Sequence, residues 1–178
     1  PPAQGRRQRQ RGIRARTFRS TKGAVSVWHA GTIVTPRKVK GINLHHYGSV
    51  SDDRAYFAGP NGRNSCPSIA NTARFGMWEY IPISLQPWST GGADKDRIAI
   101  EMENISGAPE WKIGNPQIED LIEFFVELRE LDGQVVDGVL VEFPEISREY
   151  IGLDKEYRNT ACPGPFVEAN IDAWIAEA

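Results

Sequence analysis

Few side chains in this sequence can do acid–base or metal chemistry. There are three histidines, His29, His45 and His46, and two cysteines, Cys66 and Cys162. Any arrangement that uses an imidazole as base or ligand must draw on one of those three. Two places set soft or borderline donors on backbone that reads as rigid. One is the His45-His46 pair closing an apolar, strand-like run; the other is the turn Thr160-Ala161-Cys162-Pro163-Gly164-Pro165. Both point to zinc. A catalytic zinc takes three protein ligands and leaves a fourth position for water, whose pKa it lowers until hydroxide is available near neutral pH. One His, one carboxylate and one Cys suffice.

The elements that must hold these groups read as a mixed α/β domain. β-like runs are Val25–Trp28, Thr32–Val34 and Gly41–Tyr47 ending at Gly48, with Pro36 and Gly41 as punctuation. In the third, period-two alternation sets Ile42, Leu44 and His46 on one face and Asn43 and His45 on the other. Residues 48–70, rich in Gly, Ser, Asp, Asn and Pro, read as a long surface loop with one helical turn around Asp53–Phe57. Strands resume at Met77–Ile81 and Arg97–Glu103; in the latter Glu101 and Glu103 share a side with Arg97 and Ala99, opposite Ile98, Ile100 and Met102. A helix starts with Asn115 as N-cap and Pro116 at the first helical position. It carries Ile118, Leu121, Ile122, Phe125, Leu128 and Leu131 to Gly133. A strand-like Gly138–Phe143 follows. After a polar stretch, Phe166–Ala176 forms a closing helix with Val167, Ile171, Trp174 and Ile175 inside.

Composition sets the outer limits. With 178 residues, 40% hydrophobic and 25% charged, the chain is of a size and kind suited to one globular domain. No stretch approaches the roughly 18–20 consecutive apolar residues of a membrane span, and the start of the sequence lacks the apolar core of a secretory signal. The net charge of −2 hides an asymmetry: residues 1–22 hold eight basic side chains and no acid, and the rest balances to −10. We read 1–22 as a flexible basic arm, too poor in apolar groups to offset ordering entropy, and 23–178 as the domain. The arm is a solvated linker or is drawn to wall polymer, membrane or nucleic acid. Two cysteines make no disulfide scaffold. Cys66, in Asn64-Ser65-Cys66-Pro67, reads as an incidental thiol, and His29 as a hydrogen-bonded surface imidazole.

The order of the pieces carries a resemblance. A strand ending His45-His46-Tyr47-Gly48 comes first, then Pro87-Trp88-Ser89-Thr90-Gly91, Ile98-Ala99-Ile100-Glu101, an amphipathic helix, Gly152, and Thr160-Ala161-Cys162-Pro163-Gly164-Pro165. From about Lys40 to the end, the chain resembles the type 2 zinc-dependent N-acetylmuramoyl-L-alanine amidases, which include phage lysozyme-type amidases and peptidoglycan recognition proteins. The resemblance implies a mixed central sheet flanked by helices. It also implies zinc as cofactor, bacterial peptidoglycan as partner, and the lactyl–L-alanine amide as the bond cut by a phage or prophage lysin acting on the cell wall.

Carried over by position, His45 is the first zinc ligand and Cys162 the last. The middle ligand, usually a His in a Gly-His-x-Glu segment eight residues before the Cys, falls on Asp154. Thr160 takes the oxyanion-stabilising position. The assisting Tyr of the family has no counterpart, Ser68 standing where it is expected, so the acid–base role passes to Glu101, ranked first, to Glu79 or to a loop carboxylate. Trp88 and Tyr47 are the substrate-binding candidates, Trp88 stacking on a sugar or packing, with Ser89 in place of a His of relatives. His46 supports the site from behind. The substituted ligand and missing Tyr leave a second reading open, a wall-binding or virion structural module of the same fold that does not cut.

Overall fold

The computed structural model describes residues 17–25, 32–33, 37–51 and 54–178. The expected strand through Trp28, His29, Val34, Pro36, Asp53 and most of the basic arm lie outside them. Among the described residues eleven short strands form: β1 (Gly23–Ala24), β2 (Thr32–Ile33), β3 (Lys38–Val39), β4 (Gly41–His46), β5 (Ile69–Thr72), β6 (Gly76–Glu79), β7 (Leu85–Gln86), β8 (Arg97–Met102), β9 (Val135–Val136), β10 (Val139–Val141) and β11 (Ile151–Leu153). The helices are α1 (Arg54–Ala58), α2 (Asn115–Glu130) and α3 (Pro165–Glu177).

Six strands make the central mixed sheet in the order β1-β6-β5-β8-β4-β11. Only the β5–β6 pair is antiparallel. β3, β10 and β9 form a second sheet, and β2 pairs with β7. Alternation along β4 and β8 sends Ile42, Leu44, Ile98, Ile100 and Met102 into the main core with Leu121, Phe124, Phe125 and Leu128 of α2 and Val167, Ile171 and Trp174 of α3. Asn43, His45 and Glu101 therefore belong to the other face. A smaller cluster of Phe57, Cys66, Ala70, Tyr80 and Ile81 packs apart from that core.

α2 keeps the expected span, with two corrections. Its N-cap is Gly114, not Asn115: Gln117 turns back so that Oε1 accepts the Gly114 N–H at 2.9 Å, while its Nε2 donates to the carbonyls of Asn71 and Glu103. Phe124, unmarked by the periodicity, is fully buried. Two other expectations change. Residues 48–70 are not all surface loop: 66–72 are buried and end in β5, the strand between β6 and β8. The stretch after Phe143 contains β11, an edge strand.

The boundary at residue 22 falls inside packed chain. Phe18 is buried edge-on against Phe124, with ring centroids 4.9 Å apart. Two buried carboxylates hold the backbone around it. Glu79 accepts from the N–H groups of Thr17 and Phe18 at 2.7 and 2.8 Å, and Glu127 from those of Arg19 and Ser20 at 2.7 and 2.8 Å. One aromatic anchor and two acceptors order a segment whose average composition reads as unstructured.

Candidate metal centre

Three neighbouring parallel strands deliver the site at their carboxyl ends. In the β4–β8 register His45 lies opposite Glu101. In the β4–β11 register Leu153 lies opposite Leu44, so the next residue, Asp154, comes abreast of His45. Gly152 lets β11 run beneath the Tyr157 ring, since a Cβ at that position would run into Tyr157 Oη. Cys162 arrives from the turn before α3, where Lys155 N–H donates to its carbonyl at 3.0 Å. The Nδ1/Nε2, carboxylate and Sγ donors of His45, Asp154 and Cys162 all lie within 4.8 Å of one another.

His45 is 1% exposed, and its orientation is held from behind. Nε2 sits 2.8 Å from Thr90 Oγ1 and 3.1 Å from Asn43 Nδ2, and Asn43 also donates to Thr90. Thr90 is itself fixed by Asp94, fully buried, which accepts the N–H groups of Ser89 and Thr90 at 2.8 and 2.6 Å. Nδ1 is left to face the ligand set: Asp154 Oδ2 at 3.4 Å, Cys162 Sγ at 3.7 Å and Glu101 Oε1 at 3.9 Å. Such support for a ligating imidazole is what metal sites require.

Asp154 is fully buried and asymmetric. Oδ2 accepts from Arg158 Nε and Nη2 at 2.8 and 2.7 Å, whereas Oδ1 has no hydrogen-bond partner. A buried carboxylate oxygen without a donor costs free energy, and a cation would satisfy it. Imidazole nitrogen, carboxylate oxygen and thiol sulfur form a donor set that zinc accepts. The residues present therefore fit the metal.

Among the protein groups alone, burial works against the His45 imidazolium, but Asp154, Glu101 and Asp94 outweigh it and its pKa is raised. Burial also opposes charge on Asp154, yet hydrogen bonds from His45 and Arg158 hold it below the usual carboxylate range. Glu101, desolvated and facing Asp154 and Asp94, is pushed up to about 7 despite His45 and Arg158. Burial and then Glu101 push the Cys162 thiol up, while the His46 N–H at 3.3 Å favours the thiolate.

The other candidates are distributed as follows. Thr160 is half-buried in the Cys162 turn, its Oγ1 accepting the Cys162 N–H at 3.2 Å. His46 reaches the centre through its backbone N–H; its ring, edge-on to Trp111, has Nδ1 3.1 Å from Asn104 Oδ1. Trp88 lines an open cleft of about 370 Å³ with Gln86, Pro87, Ser89, Gly91, Gly92 and Arg158. Tyr47 is not part of that lining; it packs edge-on to Phe57. Ser68 is buried, its Oγ accepting the Ala99 N–H. Cys66 is fully buried and sits in the smaller cluster. Glu79 is the correction: its carboxylate is engaged by Thr17, Phe18 and Thr21, so it is a structural acceptor and not part of the centre.

Sequence reasoning passed over Asn43, Thr90, Asp94 and Arg158. Arg158 did carry a signal, an acid followed four residues later by a base, the spacing at which side chains meet across one helical turn.

No protein-family model and no curated protein sequence matches the chain. Solved structures do. The N-acetylmuramoyl-L-alanine amidase LysC from Clostridium intestinale URNW is 17% identical, with 86% of this chain and 98% of that chain covered and a TM-score of 0.55. PlyL is 14% identical, covering 86% and 94%, with a TM-score of 0.62. A selenomethionine derivative of AmpD is 14% identical, covering 85% and 92%, also at 0.62. At these identities the likeness is one of architecture: the chain adopts the α/β fold of the N-acetylmuramoyl-L-alanine amidases.

Proposed function

We propose that this chain is a peptidoglycan hydrolase that cleaves the amide between the lactyl group of N-acetylmuramic acid and L-alanine, with zinc held by His45, Asp154 and Cys162. The observation that carries the reading is the convergence of those three donors within 4.8 Å, on an amidase fold, from residues as far apart in sequence as 45 and 162. The protein then acts on the bacterial wall, as a phage or prophage lysin does.

Zinc bound there supplies a Lewis acid for the scissile carbonyl and a water acidic enough to attack near neutral pH. The chain's own groups do the rest. Thr90 and Asn43 fix the His45 ring so that Nδ1 faces the ligand set. Glu101, buried with Oε1 3.9 Å from His45 Nδ1, is the carboxyl placed to take a proton from the attacking water and pass it to the leaving amine. Thr160 Oγ1 accepts the Cys162 N–H, which leaves its own O–H to donate to the developing oxyanion. Trp88 offers the sugar an apolar face in the cleft. Arg158 offsets the second anionic ligand, which would otherwise make the attacking water less acidic than two neutral imidazoles would.

The test is digestion of purified peptidoglycan, scored by new L-alanine amino ends, alongside zinc per chain by elemental mass spectrometry. We expect one zinc per chain, loss of both signals in Asp154→Ala and Cys162→Ser, and retained or raised activity in Asp154→His. Full wall-degrading activity in Asp154→Ala or Cys162→Ser would overturn the assignment. A second reading, a recognition or virion structural module that binds the wall without cutting, is favoured by one observation: Arg158 already supplies a cation to Asp154. It predicts binding to insoluble peptidoglycan that chelator leaves unchanged, with no new amino ends.

A further inference from the structure

Arg158 belongs to two places at once. Nε and Nη2 both end on Asp154 Oδ2, so the guanidinium is held along one edge by a fully buried carboxylate. A guanidinium carries five N–H donors, of which these bonds use two. The side chain is nevertheless 52% exposed and lines the Trp88 cleft. The other lining residues, Gln86, Pro87, Trp88, Ser89, Gly91 and Gly92, carry no charge. The cleft thus presents a single fixed positive charge, oriented by an anchor that cannot move away, beside an indole. A rigid planar fork of that kind is suited to a carboxylate, which it meets with parallel N–H bonds, and the anchoring removes much of the entropy a free arginine would lose on binding.

We propose that Arg158 is a substrate-recognition residue that pairs through its open edge with a carboxylate of the peptide. This rests on the reading of the chain as an amidase. Arg158 touches a candidate metal ligand directly, and the carboxyl of L-alanine is tied up in the next amide, so the free carboxylate of the peptide nearest the cleaved bond is that of the second residue. The site therefore selects peptides whose second residue bears a free carboxylate over those in which it is a carboxamide.

The experiment uses two N-acetylmuramoyl dipeptides, identical except that the second residue carries a carboxylate in one and a carboxamide in the other. Their kcat/KM is measured, with Kd by calorimetry, on the zinc-loaded full chain as wild type, Arg158→Gln and Arg158→Lys. Wild type should prefer the carboxylate form about ten-fold, the size of one charge-assisted pair. The ratio should fall to about one in Arg158→Gln and to an intermediate value in Arg158→Lys, whose ammonium keeps the charge but lacks the planar fork that meets Asp154 on one edge and a substrate carboxylate on another. Each ratio is taken within one protein, so a general loss through Asp154 cancels. Should Arg158→Gln fail to fold, the wild-type preference must shrink as salt is raised. A wild-type ratio near one, or one that survives in Arg158→Gln or is indifferent to salt, overturns the proposal. If both dipeptides are cleaved equally, hydrolysis stands and the role of Arg158 falls. If neither is cleaved but calorimetry shows the preference in wild type and not in Arg158→Gln, hydrolysis falls and Arg158 stands. If neither is cleaved nor bound, both fall.

Discussion

Replacing Glu79 should weaken the fold and leave the chemistry of the folded molecules intact, whereas Glu101→Gln should do the reverse, although both carboxyls are buried on strands of the same sheet. Glu79 is 2% exposed and receives the N–H groups of Thr17 and Phe18 and the hydroxyl of Thr21. In Glu79→Ala the buried Phe18 N–H loses its acceptor, at a cost of ~1–3 kcal/mol. Thr21 Oγ1 keeps the Phe18 carbonyl at 2.8 Å, and the half-buried Thr17 N–H can hydrate, so each of these costs less, ~0.5–1 kcal/mol. The sum is ~2–5 kcal/mol, and at ~2–4 °C per kcal/mol for a domain of this size Tm should fall by about 10 °C. Glu79→Gln keeps one carbonyl acceptor and turns an amide donor toward the others, so it should lose roughly half as much.

Glu101→Gln is isosteric and removes a charge that burial disfavours, so Tm should hold or rise. Its kcat should fall by at least ~100-fold if the carboxyl moves the proton. The assays are thermal and urea melts, and muramoyl-dipeptide hydrolysis normalised to the folded fraction. Wild-type stability in Glu79→Ala, or more than a tenth of wild-type kcat in Glu101→Gln, would refute the reasoning.

Phe18→Ala should lower stability by ~3–5 kcal/mol, the cost of emptying an aromatic site in a core, read as a lower urea midpoint at unchanged slope. Cys66, its thiol pushed up to about 12 by burial and then by Glu101, should resist iodoacetamide in the native protein at pH 8, where only about one thiol in ten thousand is ionised. Peptide mapping that found Cys66 labelled as fast as in urea would contradict its placement. Arg158→Met leaves the buried Asp154 carboxylate without its cation. After discounting for the exposed guanidinium, the chelator-treated variant should be ~1–2 kcal/mol less stable than chelator-treated wild type. Zinc should then raise its Tm by more than it raises that of wild type, and equal zinc shifts would show that Arg158 does not stand in for metal charge.

What the sequence made legible, and what it hid, follows from the range of the interactions involved. β4, β8 and α2 announce themselves because six or more residues repeat an apolar pattern in the sequence, and His45 and Cys162 sit at ends that short-range chemistry marks, a strand terminus and a Pro-Gly turn. β11 has three residues, one of them glycine, too few for a period to show. Its place is set by pairing with β4, more than a hundred residues away, and that register alone brings Asp154 abreast of His45. The segment at 17–21 was hidden for a related reason: a compositional average cannot weigh one phenylalanine whose cavity, and two carboxylates whose donors, lie elsewhere in the chain. The same holds for charge. Glu79 and Glu101 look alike as strand carboxylates, yet one is taken up by backbone N–H groups, and the other is raised to about 7 by burial first and then by Asp154 and Asp94. Residue type told which groups could move a proton; only the neighbours, brought in by parallel pairing and a docked terminus, decide which one is free to do so.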